Sequence, residues 1–270
     1  MGDRFAMAGD SRMPYDLAAS FSDNANVREV PDDIAERLIV ALDVRTPTEA
    51  RALVTKLDGI VSFYKIGLWL LFAEGTDRLI DELIAEGKDI FLDYKIYDIP
   101  QTVEQAVLRA KERRIKFITV HGDPDIMGAA VRAKGTAQFP KIFTITVLTS
   151  MGDDDLREMG YAVGVSELIA LRVRNSLQSG CDGIIASPAD DPNMIRQLAN
   201  NQRLLIATPG VRSEGVSRDD QKRTATPTEA IRNGADYIVM GRQIINASDP
   251  AAEARKVIAE MELGREAPNV

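Results

Sequence analysis

Cysteine and histidine are almost absent from this chain of 270 residues, which contains one of each, Cys181 and His121. A single cysteine excludes an intrachain disulfide and any zinc site built from several thiolates. A single histidine excludes every metal site that needs two imidazole ligands. The usual ligands of transition metals are too few, so we expect a protein that works without a thiol-bound metal.

Basic residues are in the minority: 33 Lys and Arg stand against 41 Asp and Glu, which gives a net charge of −8 at neutral pH. Affinity for nucleic acid depends on clustered cations that neutralise phosphates. An acidic chain is therefore a poor candidate for a general nucleic-acid binder, and we expect no nucleic-acid partner. A local basic pocket is still compatible with this charge.

Long hydrophobic runs are also missing. The longest apolar stretch, residues 60–73, contains Lys65 and is too short to cross a bilayer. The first 20 residues mix acidic and basic side chains and lack the apolar segment of a secretory signal. Apolar residues nevertheless make up 45% of the chain, the usual share for a globular protein. We expect a cytoplasmic protein without membrane contact, in which residues 1–36 form an extension and residues 37–270 form one domain.

From residue 37 onward, short apolar segments alternate with longer amphipathic segments, which predicts alternating strands and helices. Two helical segments begin with a capping box, because Thr46 and Thr226 are each followed by Glu three residues later. The predicted strands are Leu38–Leu42, Val61–Ile66, Asp89–Leu92, Phe117–Val120, Ile142–Val147, Gly183–Ala186, Leu204–Ala207 and Tyr237–Met240. The predicted helices are Thr46–Leu57, Trp69–Ala85, Thr102–Arg113, Ile126–Lys134, Val163–Leu177, Asp190–Leu198, Pro227–Asn233 and Pro250–Met261.

This alternation predicts a parallel sheet with right-handed crossovers. Eight strand–helix units in about 230 residues match a closed (β/α)8 TIM barrel better than an open sheet. A doubly wound sheet is the rival architecture, but its glycine-rich dinucleotide fingerprint is missing, because the first strand is followed by Asp43-Val44-Arg45. The predicted fold class is therefore α/β, a single TIM barrel with a short N-terminal extension.

Charged residues are concentrated at the predicted end of the third strand, where barrels of this kind carry their reacting groups. Asp93 and Lys95 alternate along that strand and share one face, and Asp98 follows where the chain turns toward a helix. A lysine between carboxylates stays charged and can act as a positioned proton donor. A surface ion-pair network is the alternative, but these charges interrupt a strand of the buried type. Asp43 and Lys65, at the ends of the first two strands, extend the cluster.

A second group of residues follows the seventh and eighth strands, the recurrent phosphate site of these barrels. Glycine lets backbone N–H groups approach an anion, and arginine pairs with its oxygens. Strand termination by glycine alone is the alternative interpretation. The candidate residues are Gly210, Arg212, Gln221, Gly241 and Arg242.

Histidine, cysteine and aromatic residues often carry function, but here we expect them to have structural roles. His121 ends the fourth strand and could be a general base, but no catalytic serine or cysteine motif accompanies it, so we expect a supporting or packing role. Cys181 precedes a buried strand and is expected to be inert core. Trp69, Phe63 and Tyr64 fit core packing or an interface.

The run Asp93-x-Lys95-x-x-Asp98-Ile99-Pro100-x-Thr102 resembles the signature of the orotidine 5′-phosphate decarboxylase family. The resemblance covers the chain from about residue 37 to its C-terminus. Two positions depart from the usual pattern: Ile96-Tyr97 replaces Phe-His, and Gln101 replaces Asn. Further motifs occur in the family's order: Ala41-Leu42-Asp43, Tyr64-Lys65-Ile66-Gly67, Val147-Leu148-Thr149-Ser150, Thr208-Pro209-Gly210-Val211-Arg212, Asp220-Gln221-Lys222-Arg223, Ala225-Thr226-Pro227 and Val239-Met240-Gly241-Arg242.

The resemblance implies the conversion of orotidine 5′-phosphate to UMP and CO2, the last step of de novo pyrimidine synthesis, by a homodimer with shared active sites and neither metal nor cofactor. By the same resemblance Lys95 protonates C6 and Asp93 lies against the substrate carboxylate. The remaining roles are assigned likewise: Asp98 and Thr102 reach the partner's site, Asp43 and Lys65 hold ribose hydroxyls, Thr149 or Ser150 faces the pyrimidine, and Arg212, Gln221, Gly241 and Arg242 hold the phosphate.

Two other functions stay open at this point. One is a sugar-phosphate decarboxylase or aldolase of the same superfamily, which would use Mg2+ held by carboxylates. The run Ile99-Pro100-x-Thr102 and the segment Asp220-Gln221 argue against it. The other is a catalytically silent phosphate-binding barrel, against which the intact Asp93, Lys95 and Asp98 argue.

Overall fold

Eight parallel strands close into a barrel in chain order, with β8 paired back to β1. The computed structural model describes residues 29–148, 150–190, 192–199, 203–215 and 225–266. The predicted (β/α)8 barrel is confirmed, and every predicted strand is present. The strands are β1 Leu38–Ala41, β2 Phe63–Gly67, β3 Asp89–Ile96, β4 Phe117–Val120, β5 Lys141–Ile145, β6 Gly183–Ile185, β7 Leu205–Pro209 and β8 Tyr237–Met240.

Helices follow the strands and cover the outside of the barrel. Thr46 accepts a hydrogen bond from the N–H of Glu49 and begins α1, and a reciprocal capping box of Thr226 and Glu229 begins α9. No helix in the described ranges is long and apolar enough to cross a membrane. The helices are α1 Pro47–Lys56, α2 Leu68–Leu71, α3 Thr76–Ala85, α4 Pro100–Glu112, α5 Pro124–Lys134, α6 Asp153–Glu158, α7 Val165–Ser179, α8 Pro192–Ala199, α9 Pro227–Arg232, α10 Arg242–Ile245 and α11 Pro250–Glu266.

Aromatic side chains fill the barrel interior. The ring of Phe117 lies 4.5 Å from that of Phe143 and 5.0 Å from those of Phe63 and Tyr237, and Phe91 completes the layer. Edge-to-face contacts of this kind add to the free energy of burying the rings. The described part of the interior is therefore packed core rather than a pore, and Phe91 also lines a cavity at the C-terminal ends of the strands.

The structure contains two short helices, α6 and α10, that were not predicted, and it differs from the predicted elements in two further segments. The predicted helix Trp69–Ala85 is two helices, α2 and α3, because the chain turns through Gly75, whose φ of +88° belongs to the left-handed region. The third strand extends four residues beyond the predicted Leu92. This extension includes Asp93 and Lys95, which therefore lie on the strand, as their predicted alternation along it requires. Residues 1–28 of the expected extension lie outside the described residues.

Candidate active site

Four charged side chains of alternating sign form a row across the ends of β1, β2 and β3. Lys65 Nζ lies 3.2 Å from Asp43 Oδ1 and 3.5 Å from Asp93 Oδ2. Lys95 Nζ donates a hydrogen bond of 2.8 Å to Asp93 Oδ1. The order along the row is therefore Asp43, Lys65, Asp93, Lys95, so that each inner residue has an opposite charge on both sides.

The row exists because neighbouring parallel strands end at the same rim. Lys65 and Asp93 are inward positions of β2 and β3, and Asp43 follows β1 by two residues. Two glycines leave room for the Asp43 carboxylate. A Cβ atom on Gly67 would lie 3.4 Å from Asp43 Oδ1 and 3.2 Å from Lys65 Nζ, and one on Gly241 would lie 3.4 Å from Asp43 Oδ2.

Opposing effects act on the pKa of Asp93. Burial of its carboxylate raises the pKa, but the charges of Lys65 and Lys95, with hydrogen bonds from Lys95 and Thr119, outweigh burial and hold the pKa below its usual value. Asp93 is therefore an anion at neutral pH although its side chain is largely buried. An ionised carboxylate fixed between two ammonium groups is a preorganised electrostatic environment rather than a solvated ion pair.

The backbone of β3 departs from regular strand geometry beside this carboxylate. Four residue steps on β3, from Leu92 to Ile96, lie opposite two steps on β4, from Ile118 to Val120. Such a bulge redirects a side chain at the end of a strand. Within it Lys95 has φ of +48°, a left-handed conformation that costs a non-glycine residue about 1–2 kcal/mol. The prediction that Asp93 and Lys95 share a face is correct, but the geometry is that of a bulge rather than simple alternation.

The row borders a cavity of about 220 Å³ at the C-terminal mouth of the barrel. Arg212 and Arg242, which follow β7 and β8, also line it, so both arginines of the predicted phosphate site share one cavity with the lysines. Between these charged groups the wall is apolar. Its further lining residues are Ala41, Phe91, Ile145, Val147, Leu148, Ile185, Pro209, Gly210, Val239 and Gly241.

Other sequence-predicted residues lie outside this cavity. Asp98 and Thr102 are exposed at the rim, and Asp98 Oδ1 accepts a hydrogen bond from the N–H of Ile99. Ser150 is exposed in the turn after β5 and does not line the cavity. Thr149 and Gln221 lie outside the described residues.

His121, Cys181 and Trp69 do not line this cavity. His121 Nδ1 lies 3.0 Å from Asp123 Oδ2, and the imidazole packs 4.4 Å from the Tyr97 ring. His121 does not line the cavity, in agreement with a packing role. Cys181 is buried, and burial raises the pKa of its thiol to about 12, which makes it a poor nucleophile. Trp69 is 58% exposed and does not belong to the core.

Two side chains that support the site were not singled out from the sequence. Thr119, on β4, contacts both Lys95 and Asp93. Gln243, next to Arg242, accepts a hydrogen bond from the N–H of Ser213 (3.0 Å) and donates to its hydroxyl (2.7 Å). Gln243 thereby ties the loop after β7 to α10. Neither residue belongs to a motif, and only the side-chain geometry identifies them.

A closed parallel barrel that gathers ionisable groups at the C-terminal ends of its strands is the architecture of the (β/α)8-barrel enzymes. The chain matches the sequence model of the Orotidine 5′-phosphate decarboxylase / HUMPS family over residues 36–257. It belongs to this family.

Curated relatives and a solved structure agree with this assignment. The chain is 48% identical over 226 residues to the orotidine 5′-phosphate decarboxylase of Nitrobacter winogradskyi, an alignment that covers 84% of this chain and 92% of the relative. It is 47% identical over 228 residues to the protein of the same name from Caulobacter vibrioides, with 83% and 97% covered. The crystal structure of orotidine 5′-phosphate decarboxylase from Lactobacillus acidophilus superposes with a TM-score of 0.73 at 32% identity and covers 84% of this chain and 99% of that one.

Proposed function

We propose that this chain decarboxylates orotidine 5′-phosphate to UMP and CO2, the reaction for which its relatives are named and the last step of de novo pyrimidine synthesis. The observation that carries the proposal is the contact between Asp93 and Lys95, held in a charged row that shares one cavity with Arg212 and Arg242. An ammonium group at the end of such a row is suited to a reaction that leaves negative charge on carbon.

Lys95 is the proton donor in this mechanism. The bond between C6 and the carboxylate breaks, CO2 leaves, and the electron pair stays on C6 of the pyrimidine. The Lys95 ammonium stabilises that pair and then transfers a proton to C6, and the resulting amine is reprotonated from solvent. Asp93, an anion in the row, lies against the substrate carboxylate and disfavours the bound substrate relative to the transition state.

The remaining cavity groups position the nucleotide. Asp43 and Lys65 hold ribose hydroxyls, while Arg212 and Arg242 hold the phosphate with the backbone N–H of Gly241. Binding energy from a phosphate remote from C6 can hold the pyrimidine against the Asp93 carboxylate. Family resemblance alone assigns Thr149 or Ser150 to the pyrimidine and Gln221 to the phosphate.

The reaction proceeds without metal or organic cofactor in this proposal. Within the described ranges no three His, Cys, Asp or Glu side chains converge on a point that could hold a metal ion. The experiment is a spectrophotometric assay with orotidine 5′-phosphate after dialysis against EDTA, and we expect full activity. Loss of activity in EDTA with recovery in Mg2+, or turnover of a sugar phosphate instead, would assign the chain to the sugar-phosphate branch.

Exposed apolar side chains that follow β2 and β3 support a homodimer with shared active sites. Phe72 is 85% exposed and Tyr97 is 69% exposed, and Trp69 and Ile99 are also exposed. Contact with a second copy would remove these large apolar side chains from water, which favours association. Asp98, between two of these residues, is absent from its own chain's cavity and is available to a partner's. We also propose that this homodimer works in the cytoplasm.

Mixing two inactive variants tests the shared site. In a dimer of one Lys95→Ala chain and one Asp98→Ala chain, one site lacks both groups and the other has both. Random pairing of equal amounts puts about half of the dimers in the mixed form, so about a quarter of all sites should regain activity in a closed two-fold dimer. With subunit exchange verified by mass tags, activity that stays at the level of the separate variants would show that Asp98 acts within its own chain.

A further inference from the structure

One buried hydroxyl group beneath the charged row contacts the bulge of β3. The Oγ1 atom of Thr119 accepts a hydrogen bond of 2.9 Å from the backbone N–H of Lys95. The same atom lies 3.1 Å from Asp93 Oδ1 and 3.5 Å from the carbonyl oxygen of Leu92. Thr119 itself has no solvent exposure and does not line the cavity, so its hydroxyl serves the protein rather than a ligand.

The chemistry of a hydroxyl fixes the direction of these bonds. A threonine hydroxyl has one proton to donate and lone pairs that accept. The bond from the Lys95 N–H uses a lone pair, and the proton is directed to Asp93 Oδ1, which is nearer than the Leu92 carbonyl and carries charge. Because Lys95 Nζ donates to the same Oδ1 atom, the two residues and the hydroxyl form a closed ring of hydrogen bonds.

The bulge explains why a side chain is needed at this place. The paired residues of β3 and β4 pass directly from Leu92–Ile118 to Ile96–Val120, so the strand register provides no β4 partner for Lys95. A buried N–H without an acceptor is costly, and a residue held in a left-handed conformation persists only where its surroundings determine it. The Thr119 hydroxyl provides that acceptor for Lys95, whose φ is +48°.

We propose that Thr119 is a positioning residue for decarboxylation: its hydroxyl holds the backbone of Lys95 and the carboxylate of Asp93 in the one arrangement that places the ammonium group for proton transfer. The inference rests on the proposed function of Lys95 and Asp93. It concerns a residue that touches neither the cavity nor the substrate.

Replacing the hydroxyl with a methyl group tests this inference. Thr119→Val keeps the shape of the side chain and removes both hydrogen bonds, and Thr119→Ser keeps the hydroxyl. We expect kcat for orotidine 5′-phosphate to fall about 10- to 100-fold in the valine variant, since small misplacements of reacting groups have effects of this size. KM should change about twofold or less, because the groups proposed to bind the ribose and the phosphate are not replaced. Serine should retain kcat within about threefold.

Thr144→Val is the matched control. Thr144 lies on the adjacent strand β5 and is equally buried, but its hydroxyl bonds to Ser176 on the helix side, 3.0 Å away. This variant should lose similar stability and keep its kcat. A valine variant at 119 with kcat within about twofold of wild type, a serine variant as slow as valine, or an equal loss of kcat in Thr144→Val would each overturn the proposal.

Hydrogen exchange at the Lys95 amide gives a readout that does not depend on catalysis. Thr119→Val should accelerate this exchange at least about tenfold, whereas Thr144→Val should leave it unchanged. Unchanged exchange in Thr119→Val would refute the positioning role even if kcat fell. If the valine variant did not fold, Thr119→Ala, which also lacks the hydroxyl and adds no bulk, would take its place with the same expectations. A wild-type protein inactive on orotidine 5′-phosphate with accelerated exchange in the variant would refute the proposed function and leave the hydrogen-bond assignment intact.

Discussion

Lys95 has a strained backbone conformation and carries the ammonium group proposed as proton donor. Substitutions at this one position can therefore measure the effect of strain on stability separately from the effect of the ammonium group on kcat. Two variants are compared, Lys95→Ala and Lys95→Gly. Both remove the ammonium group and leave Asp93 with Lys65 at 3.5 Å as its remaining cation. They differ in that glycine adopts φ of +48° freely and alanine does not, and in the larger chain entropy that glycine loses on folding.

The expected loss of kcat and the expected change in stability can both be estimated from the structure. Removing a general acid lowers a rate by about 10² to 10⁴, and removing a donor to developing charge by about 10² to 10³, so together kcat should fall by about 10⁴ to 10⁷. This loss corresponds to about 5 to 10 kcal/mol of activation free energy. The lost ion pair should cost about 1 kcal/mol of stability, because the Lys95 side chain is 37% exposed. Relief of left-handed strain, less the chain entropy of glycine, should make Lys95→Gly about 1 kcal/mol more stable than Lys95→Ala.

Urea unfolding and an activity assay measure the two quantities on the same samples. We expect equal, very low kcat values and a higher urea midpoint for the glycine variant, with unchanged slope. A variant that folds and keeps a tenth of the normal kcat would refute the role of Lys95 as proton donor. A glycine variant no more stable than the alanine variant would show that Lys95 is not strained in the folded protein.

Three further predictions concern the other loops and the barrel wall. Arg242→Ala should lower kcat/KM for the nucleotide strongly and for the unphosphorylated nucleoside little, and equal losses would show that Arg242 does not hold the phosphate. Gln243→Leu removes the hydrogen bonds to Ser213 that tie the loop after β7 to α10, and it should raise KM for the nucleotide about three- to tenfold at nearly constant kcat. A fall in kcat alone would show that these bonds do not serve nucleotide binding. Thr208→Val should leave the free energy of unfolding in urea unchanged or raise it by up to about 1 kcal/mol, because the buried Thr208 hydroxyl has no hydrogen-bond partner among the described residues. A loss of more than about 1 kcal/mol would show that the hydroxyl has a partner.

The identity of the charged residues could be read from the sequence because they interrupt apolar strands. Asp93 and Lys95 follow the buried segment Phe91–Leu92, and Arg242 follows β8. Charges at such places are rare unless they have a role, and parallel strands of a barrel present their carboxyl ends on one rim. These two facts are enough to predict that the residues lie near one another.

The supporting residues could not be read in this way. Thr119 lies 24 residues beyond Lys95, and Gln243 lies 30 residues beyond Ser213. Neither spacing corresponds to a helical or strand repeat, so no periodicity connects the members of either pair. Their contacts follow from which strands and loops are neighbours and from the register between them.

The sequence by itself determined the succession of strands and helices, the barrel that follows from it, and the charged residues at the strand ends, because hydrophobic periodicity and capping act over a few neighbouring residues. Tertiary structure alone decided the order of the row from Asp43 to Lys95, the bulge in β3 and the exposure of Asp98. These features depend on the register between strands and on the closure of the barrel, which bring together residues distant in the chain. Asp43 and Asp93, for example, lie on either side of Lys65. Register is set by packing of the whole interior, so no local segment of the chain contains it.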